Sequence, residues 1–273
     1  MKIGSRYFDF SQGTVLMGIL NITPDSFSDG GRYGNLDAAL TQTQIMINEG
    51  ADIIDVGGES TRPGHQPVSA QEELERVVPV IEAIRERFDI PVSVDTYKAQ
   101  VARAGILAGA DLINDVWGFK ADPEIARVAA QHGVPCCLSH NRQNKNYQNI
   151  VADVVSDLRE SIEIATQAGV SRENIIVDPG LGFAKEYEHN LQLMNNLEKL
   201  HVLGYPILLG ASRKSFIGIA MDNPNAAERD LATVATTIMG IMKGCQIIRV
   251  HNITMNKEAA KLTDIIMRQG AIE

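Results

Sequence analysis

Two carboxylates and an amide each sit at or near the end of a short apolar run: Asp95 in PVSVD (91–95), Asn114 in DLINDV (111–116) and Asp178 in NIIVD (174–178). A carboxylate can accept a paired N–H edge in bidentate fashion, so this trio suits a neutral heterocycle that presents several N–H donors. Arg62 in GGESTRPG, and Arg249 and His251 in IIRVHN, carry the opposite chemistry and suit a polyanion such as a pyrophosphate. Asn21, which leaves the run TVLMGIL (14–20), offers a carbonyl oxygen of the hard type that Mg²⁺ prefers. Together these residues describe a site for a heterocycle with a phosphorylated arm. Singly, each has a plainer reading, because Asp and Asn after a strand are often helix caps or turn formers. The mixture of acids, amide and cations carries the inference.

Such residues must be brought together by the elements that bear them. The candidate strands are 14–20, 52–56, 91–95, 111–116, 134–140, 174–178, 206–210 and 246–250. Helical stretches fit 36–49, 69–88, 97–108, 121–132, 150–168, 187–201, 228–243 and 255–268. The clearest helix recurs through Leu74, Val77, Val78, Ile81, Ile84 and Phe88, and Pro79 inside it is expected to kink or split it. Eight strand–helix units with nearly continuous apolar strands point to a parallel sheet closed as a single (β/α)₈ TIM barrel, one domain over 1–273. The segment SRYFDFSQG (5–13) is read as a short N-terminal hairpin plugging the barrel bottom. In a barrel of this kind the active site lies at the C-terminal strand ends, where the polar residues fall. Glu59, Thr61 and Pro63, Asp115, Ser139 and His140, and Arg213, Lys214 and Ser215 stand at those ends too.

Composition sets the outer bounds. The 273 residues are 44% hydrophobic and 22% charged, enough for a sizeable core. A net charge of −9 argues against non-specific nucleic-acid binding, which needs a basic face, yet leaves room for an anionic small substrate in a locally cationic cleft. Cys136, Cys137 and Cys245 have no metal-type spacing and read as buried thiols of a reduced interior. The N-terminus lacks an apolar signal core and no run reaches membrane-spanning length, so the expectation is a soluble, cytoplasmic protein with no membrane partner.

The chain resembles the dihydropteroate synthase family along nearly all its length. The resemblance runs through GILNITPDSFSDGG, DIIDVGGESTRPG, PVSVDT, INDVWG, DPGLGFAK, GASRKS and IIRVHN. NITPDSFSDGG together with GGESTRPG, in that order, is highly specific. It implies the condensation of 6-hydroxymethyl-7,8-dihydropterin pyrophosphate with p-aminobenzoate to give 7,8-dihydropteroate and pyrophosphate. Carried over residue by residue, it implies that Asp95, Asn114, Asp178 and Lys214 hold the pterin. Thr61, Arg62, Arg249 and His251 would bind the pyrophosphate, with Asn21 on Mg²⁺. Phe27, Pro63 and Phe183 would wall the p-aminobenzoate pocket, and Ser215, opening a helix, would receive its carboxylate. Asp95, Asp178, Lys214, Arg249 and His251 are the residues placed in the chemistry itself.

Two loops are expected to move. Gly30, Gly31 and Gly34 in one, and Gly57, Gly58 and Gly64 in the other, would let the backbone fold over substrate. One stretch departs from the family: a Met commonly precedes the His after the fifth strand, and here it is Ser139, which is expected to weaken packing on the pterin face without loss of activity; a neighbouring side chain that refills the space is an equal reading. Two rivals stand beside the synthase. A methyltetrahydrofolate–corrinoid methyltransferase barrel would share the pterin acids but has no need of a pyrophosphate clamp. A non-catalytic pterin-binding paralogue should have lost part of the clamp or the first loop, and neither is missing. The family further implies a homodimer through helices late in the barrel, where ATVATTIMGIM (232–242) is apolar; a barrel-facing helix explains that segment equally well.

Overall fold

The computed structural model describes residues 1–22, 31–60 and 67–269. Phe27, Gly30, Thr61, Arg62, Pro63 and Gly64 lie outside them. The chain opens with a two-stranded antiparallel hairpin, β1 (Lys2–Ile3) and β2 (Arg6–Tyr7). The hairpin therefore precedes most of the 5–13 segment assigned to it. Eight parallel strands follow: β3 (Val15–Asn21), β4 (Ile53–Gly57), β5 (Val92–Asp95), β6 (Leu112–Asp115), β7 (Cys136–Ser139), β8 (Ile175–Asp178), β9 (Leu208–Leu209) and β10 (Ile247–Val250). They are ordered β8-β7-β6-β5-β4-β3-β10-β9, and a parallel bridge between Val177 and Ile207 closes the ring.

The helices are α1 (Gly31–Asn48), α2 (Ala70–Arg87), α3 (Ala99–Leu107), α4 (Glu124–His132), α5 (Ile150–Gln167), α6 (Tyr187–Asn195), α7 (Ser215–Ala220), α8 (Asp230–Met242) and α9 (Ile253–Gln269). α2 starts where Ser69 Oγ accepts the Glu72 N–H at 3.1 Å. Acidic residues fill its first turn and basic ones its last, as the helix dipole favours. Pro79 does not split it. Val77, Val80, Ile81 and Ile84 are all buried on one face, and that packing outweighs the loss of one backbone hydrogen bond. The expected 187–201 helix does break, into α6 and a 3₁₀ segment, Leu197–Leu203. Gly31 and Gly34 fall within α1, so they are not loop hinges.

Side chains alternate across a strand, and the barrel uses this period to build two layers. Met17, Ile53, Leu112, Cys137, Ile176, Leu208 and Ile247 form one buried apolar cluster that Ile3 of the hairpin joins. That is the barrel floor and its plug. The residues between them, such as Leu16, Ile54, Ile113, Cys136, Ile175 and Ile248, belong to the larger cluster shared with the helices. Two positions beyond the floor, the same inward faces carry Asp55, Asn114, Ser139, Asp178, Gly210 and Arg249. β5 contributes Asp95, two positions beyond the buried Ser93. An apolar floor with a polar layer directly above it is how this sequence makes a site.

Candidate active site

Arg249 organises that polar layer. Its Nε donates to Asp55 Oδ2 and its Nη2 to Asp95 Oδ2, each at 2.6 Å. Asp55 also accepts from Asn114 Nδ2 at 3.1 Å, so residues from β4, β5, β6 and β10 share one network. Asp55 is fully buried and Asp95 nearly so. Burial pushes the Asp95 carboxyl up to about 8, against the pull of Arg249, while Asp55 adds to the rise. The Arg249 guanidinium is driven further up by the two carboxylates although burial opposes it. One cation between two buried carboxyls balances a single negative charge, so the second carboxyl resists ionisation until a ligand bearing N–H donors or developing positive charge is present. Asn114 Oδ1 and Asp55 Oδ1 are buried with no hydrogen-bond partner among the described residues. Unsatisfied acceptors of this kind are costly unless something fills them.

Asp178 stands on the facing strand. Its Oδ1 accepts the Gly180 N–H at 2.7 Å and its Oδ2 accepts Ser139 Oγ at 3.1 Å. Ser139, expected to lose apolar contact with a ring, thus supplies a hydrogen bond to Asp178. Gly180 is required here. It has φ +65°, and a Cβ would fall 1.9 Å from the His140 carbonyl oxygen. Lys214, from the loop after β9, donates to the Leu181 carbonyl and places its ammonium 4.3 Å from the centre of the Phe183 ring. Burial pushes Lys214 down to about 8, with Asp178 pulling the other way. Gly57 and Gly210 keep the space between these groups open. A side chain at Gly57 would fall 3.5 Å from Asp95 Cβ and 3.8 Å from Asn21 Oδ1, and one at Gly210 would fall 3.7 Å from Asp178 Oδ2.

His251 lies at the rim, its Nδ1 2.8 Å from Ser212 Oγ, and that hydroxyl also accepts the His251 backbone N–H at 3.2 Å. Ser215 opens α7 and is exposed. Arg213, at φ +58°, is turned away to a bidentate pair with Asp230 at 2.6 and 2.8 Å. Asp115 accepts the N–H groups of Trp117 and Phe119, both at 2.8 Å, and so shapes its own loop. A cavity of about 790 Å³ opens beside the site and shares Phe183 with it, Trp117, Tyr97 and Arg142 forming other walls.

Among the expected residues, Asp95, Asn114, Asp178, Lys214, Arg249, Asn21 and Phe183 come together at one end of the barrel, with His251 and Ser215 at its rim. Phe27, Thr61, Arg62 and Pro63 lie outside the described residues. Asp55 is the residue that motif reading missed, and counting two positions on from Ile53 along β4 would have found it. No cluster of three His, Cys, Asp or Glu side chains able to hold a metal occurs among the described residues. Asn21 Oδ1 lies beside the space at Gly57, with Asp95 Oδ2 near the same point, a setting that fits a Mg²⁺ carried mainly by phosphate oxygens and water rather than by a protein cage.

The comparisons with known proteins agree with this geometry. The family described as "Pterin binding enzyme" matches residues 17–251. The dihydropteroate synthase of Clostridium beijerinckii is 60% identical over 270 residues, 98% of this chain and 100% of that protein. A dihydropteroate synthase from Clostridium difficile, solved in the presence of pteroic acid, superposes with a TM-score of 0.94 at 47% identity, covering 96% of this chain and 100% of that one. The Xanthomonas albilineans enzyme, solved with 4-aminobenzoic acid, gives 0.90 at 38% identity over 94% of each chain. These relatives set aside the corrinoid methyltransferase reading. The chain belongs to the pterin-binding enzymes and, within them, to the dihydropteroate synthases.

Proposed function

We propose that this dihydropteroate synthase joins its two substrates by a dissociative displacement, in which pyrophosphate departs from the pterin methylene before the arylamine attacks. The observation that carries the reading is the polar layer of Asp55, Asp95, Asn114, Asp178, Lys214 and Arg249 above the barrel floor, which combines buried unpaired acceptors with a carboxyl, Asp95, that a developing positive charge would help to ionise. Asp95, Asn114, Asp178 and Lys214 hold the pterin ring through its N–H edge and ring acceptors. Loss of pyrophosphate leaves positive charge delocalised into that ring, and the carboxylates of Asp95 and Asp178 offset part of it. A cation formed this way is attacked by a weakly basic amine, so no side chain need act as a strong general base.

Arg249, His251, Thr61 and Arg62 form the pyrophosphate clamp. Arg249 belongs to both halves of the site, since its Nε and Nη2 are already engaged with the acids. Mg²⁺, with Asn21 as its protein ligand, would neutralise charge developing on the leaving phosphate oxygens. Phe27, Pro63 and Phe183 wall the p-aminobenzoate pocket, and Ser215 receives its carboxylate. Support for that second substrate comes from the Xanthomonas albilineans relative, solved with 4-aminobenzoic acid. A direct test is calorimetric titration of 6-hydroxymethyl-7,8-dihydropterin into Asp178→Asn. Loss of the paired acceptor is expected to weaken binding about a hundredfold, and unchanged affinity would remove Asp178 from the site.

The chain is further read as one barrel domain that pairs as a homodimer. Leu231, Met239 and Met242 on α8, and Leu262, Ile265 and Ile266 on α9, leave apolar area exposed on two helices that pack together. Burial of that area by a second copy is the occupant that fits a family of this kind. Sedimentation at two concentrations tests it. Three free, buried cysteines suit a reducing compartment such as the cytoplasm. No helix among the described residues is long and apolar enough to cross a membrane.

A further inference from the structure

The loop between β8 and α6 carries two groups on which the proposed site depends. Its Leu181 carbonyl accepts the Lys214 ammonium, and its Phe183 ring lies against that ammonium. The loop is bent by three positive φ values, at Gly180, Gly182 and Ala184. What holds it in that shape is a lysine pointing inward. Lys185 Nζ donates to the Gly180 carbonyl at 2.8 Å and the Phe183 carbonyl at 3.1 Å, and lies 2.8 Å from His140 Nδ1. Lys185 is only 6% exposed, and none of these three partners is a carboxylate. Burial drives its pKa well down, helped by the nearby Lys214 cation and opposed by Asp178.

The His140 end of this arrangement is itself fixed. His140 Nε2 lies 2.9 Å from Asp157 Oδ2, and an ionised carboxylate can only accept. Burial would raise Asp157, but hydrogen bonds from His140 and Arg142 together hold it below the usual carboxylate range. Nε2 therefore donates to Asp157, and Nδ1 is left as an acceptor for Lys185. Arg142 Nη2 donates to Asp157 Oδ1 at 3.0 Å, and its guanidinium lies 4.6 Å from the Tyr147 ring. The Tyr147 hydroxyl in turn donates to the Ala184 carbonyl at 3.0 Å. Every carbonyl from Gly180 to Ala184 named above, Leu181 included, is thus bound by a side chain from outside or at the end of the loop.

We propose that Lys185, set by His140 and Asp157, is a positioning residue for p-aminobenzoate: by gathering the Gly180 and Phe183 carbonyls onto one buried amino group it fixes the Phe183 ring that walls the pocket. The inference rests on the reading of Phe183 as that wall. Lys185→Met keeps the apolar stem and removes the donors. It is expected to raise KM for p-aminobenzoate about tenfold, while kcat and KM for the pterin pyrophosphate, whose acids sit on strands, stay within about threefold. Phe183→Ala should give a similar rise, and the double variant should be no worse than Phe183→Ala alone, because the lysine acts through the ring. Additive losses in the double variant, or a Lys185→Met defect confined to melting temperature, would overturn the inference. An unchanged KM in Phe183→Ala would remove the reading of that ring as a wall, and this inference with it. Where Lys185→Met does not fold, Tyr147→Phe removes only the hydroxyl on Ala184 and is expected to raise the same KM about threefold. No change there would also overturn it.

Discussion

Replacing Arg249 with Met keeps most of the side-chain volume and removes the cation between Asp55 and Asp95. Both carboxyls stay buried, so at pH 7 the folded variant must either bury an uncompensated charge or take up a further proton. Asp95 is already pushed up to about 8 in the intact site, so at pH 7 the pair needs roughly one proton more than it holds with Arg249 present. Bringing a carboxylate with an ordinary value of 3.8 to its protonated form at pH 7 costs about 1.36 kcal/mol for each of some three pH units, or about 4 kcal/mol. That agrees with the roughly 3–5 kcal/mol seen when one partner of a buried pair is removed. The sign follows from linkage. A carboxyl raised in the folded state destabilises above its unfolded value, and the penalty fades as pH falls towards it. Urea unfolding should therefore show the variant about 4 kcal/mol less stable at pH 7 and about 2 kcal/mol less stable at pH 5.5. A loss below about 1 kcal/mol at pH 7, or equal losses at both pH values, would refute the account of Arg249 as the shared counter-ion.

Three further outcomes are expected. The pH profile of kcat/KM for the pterin substrate should be a narrow bell near pH 8. Its acid limb reports ionisation of Asp95, pushed up to about 8, and its alkaline limb the loss of the Lys214 charge above about 8. Lys214→Arg should carry the alkaline limb upward because a guanidinium keeps its charge, and an unmoved limb would mean that another group titrates there. Ser139→Ala should weaken pterin binding about fivefold in calorimetry by freeing Asp178 Oδ2, whereas equal affinity would leave Ser139 with a packing role alone.

Much of the fold and site could be read in the residues. The eight apolar runs became eight parallel strands, and Asp95, Asn114, Asp178 and Arg249 met at one end of the barrel because a parallel sheet puts all its C-terminal strand ends together. Asp55 was missed because it lies inside a run, DIIDV, whose hydrophobic neighbours mask it, and only the in–out alternation of β4 exposes it. Lys185 and His140 were missed as a pair because they are 45 residues apart and meet only once β7 and β8 are adjacent. Pro79 was weighed by a local rule that the buried face of α2 overrides. The backbone freedom of Gly31 and Gly34 suggests hinges, while the structure places both in α1. Motif and spacing report which groups are present. Charge sharing among Asp55, Asp95 and Arg249 depends on distances that no spacing encodes.

The central claim, that pyrophosphate leaves before the amine attacks, is tested most directly in a single-turnover experiment with enzyme in excess. The protein is mixed with the pterin pyrophosphate and Mg²⁺, with and without p-aminobenzoate, and pyrophosphate is followed. Dissociative displacement predicts Mg²⁺-dependent release without p-aminobenzoate, and a release rate nearly independent of its concentration when it is present. Release only in its presence, at a rate that rises in proportion to its concentration, would contradict the account.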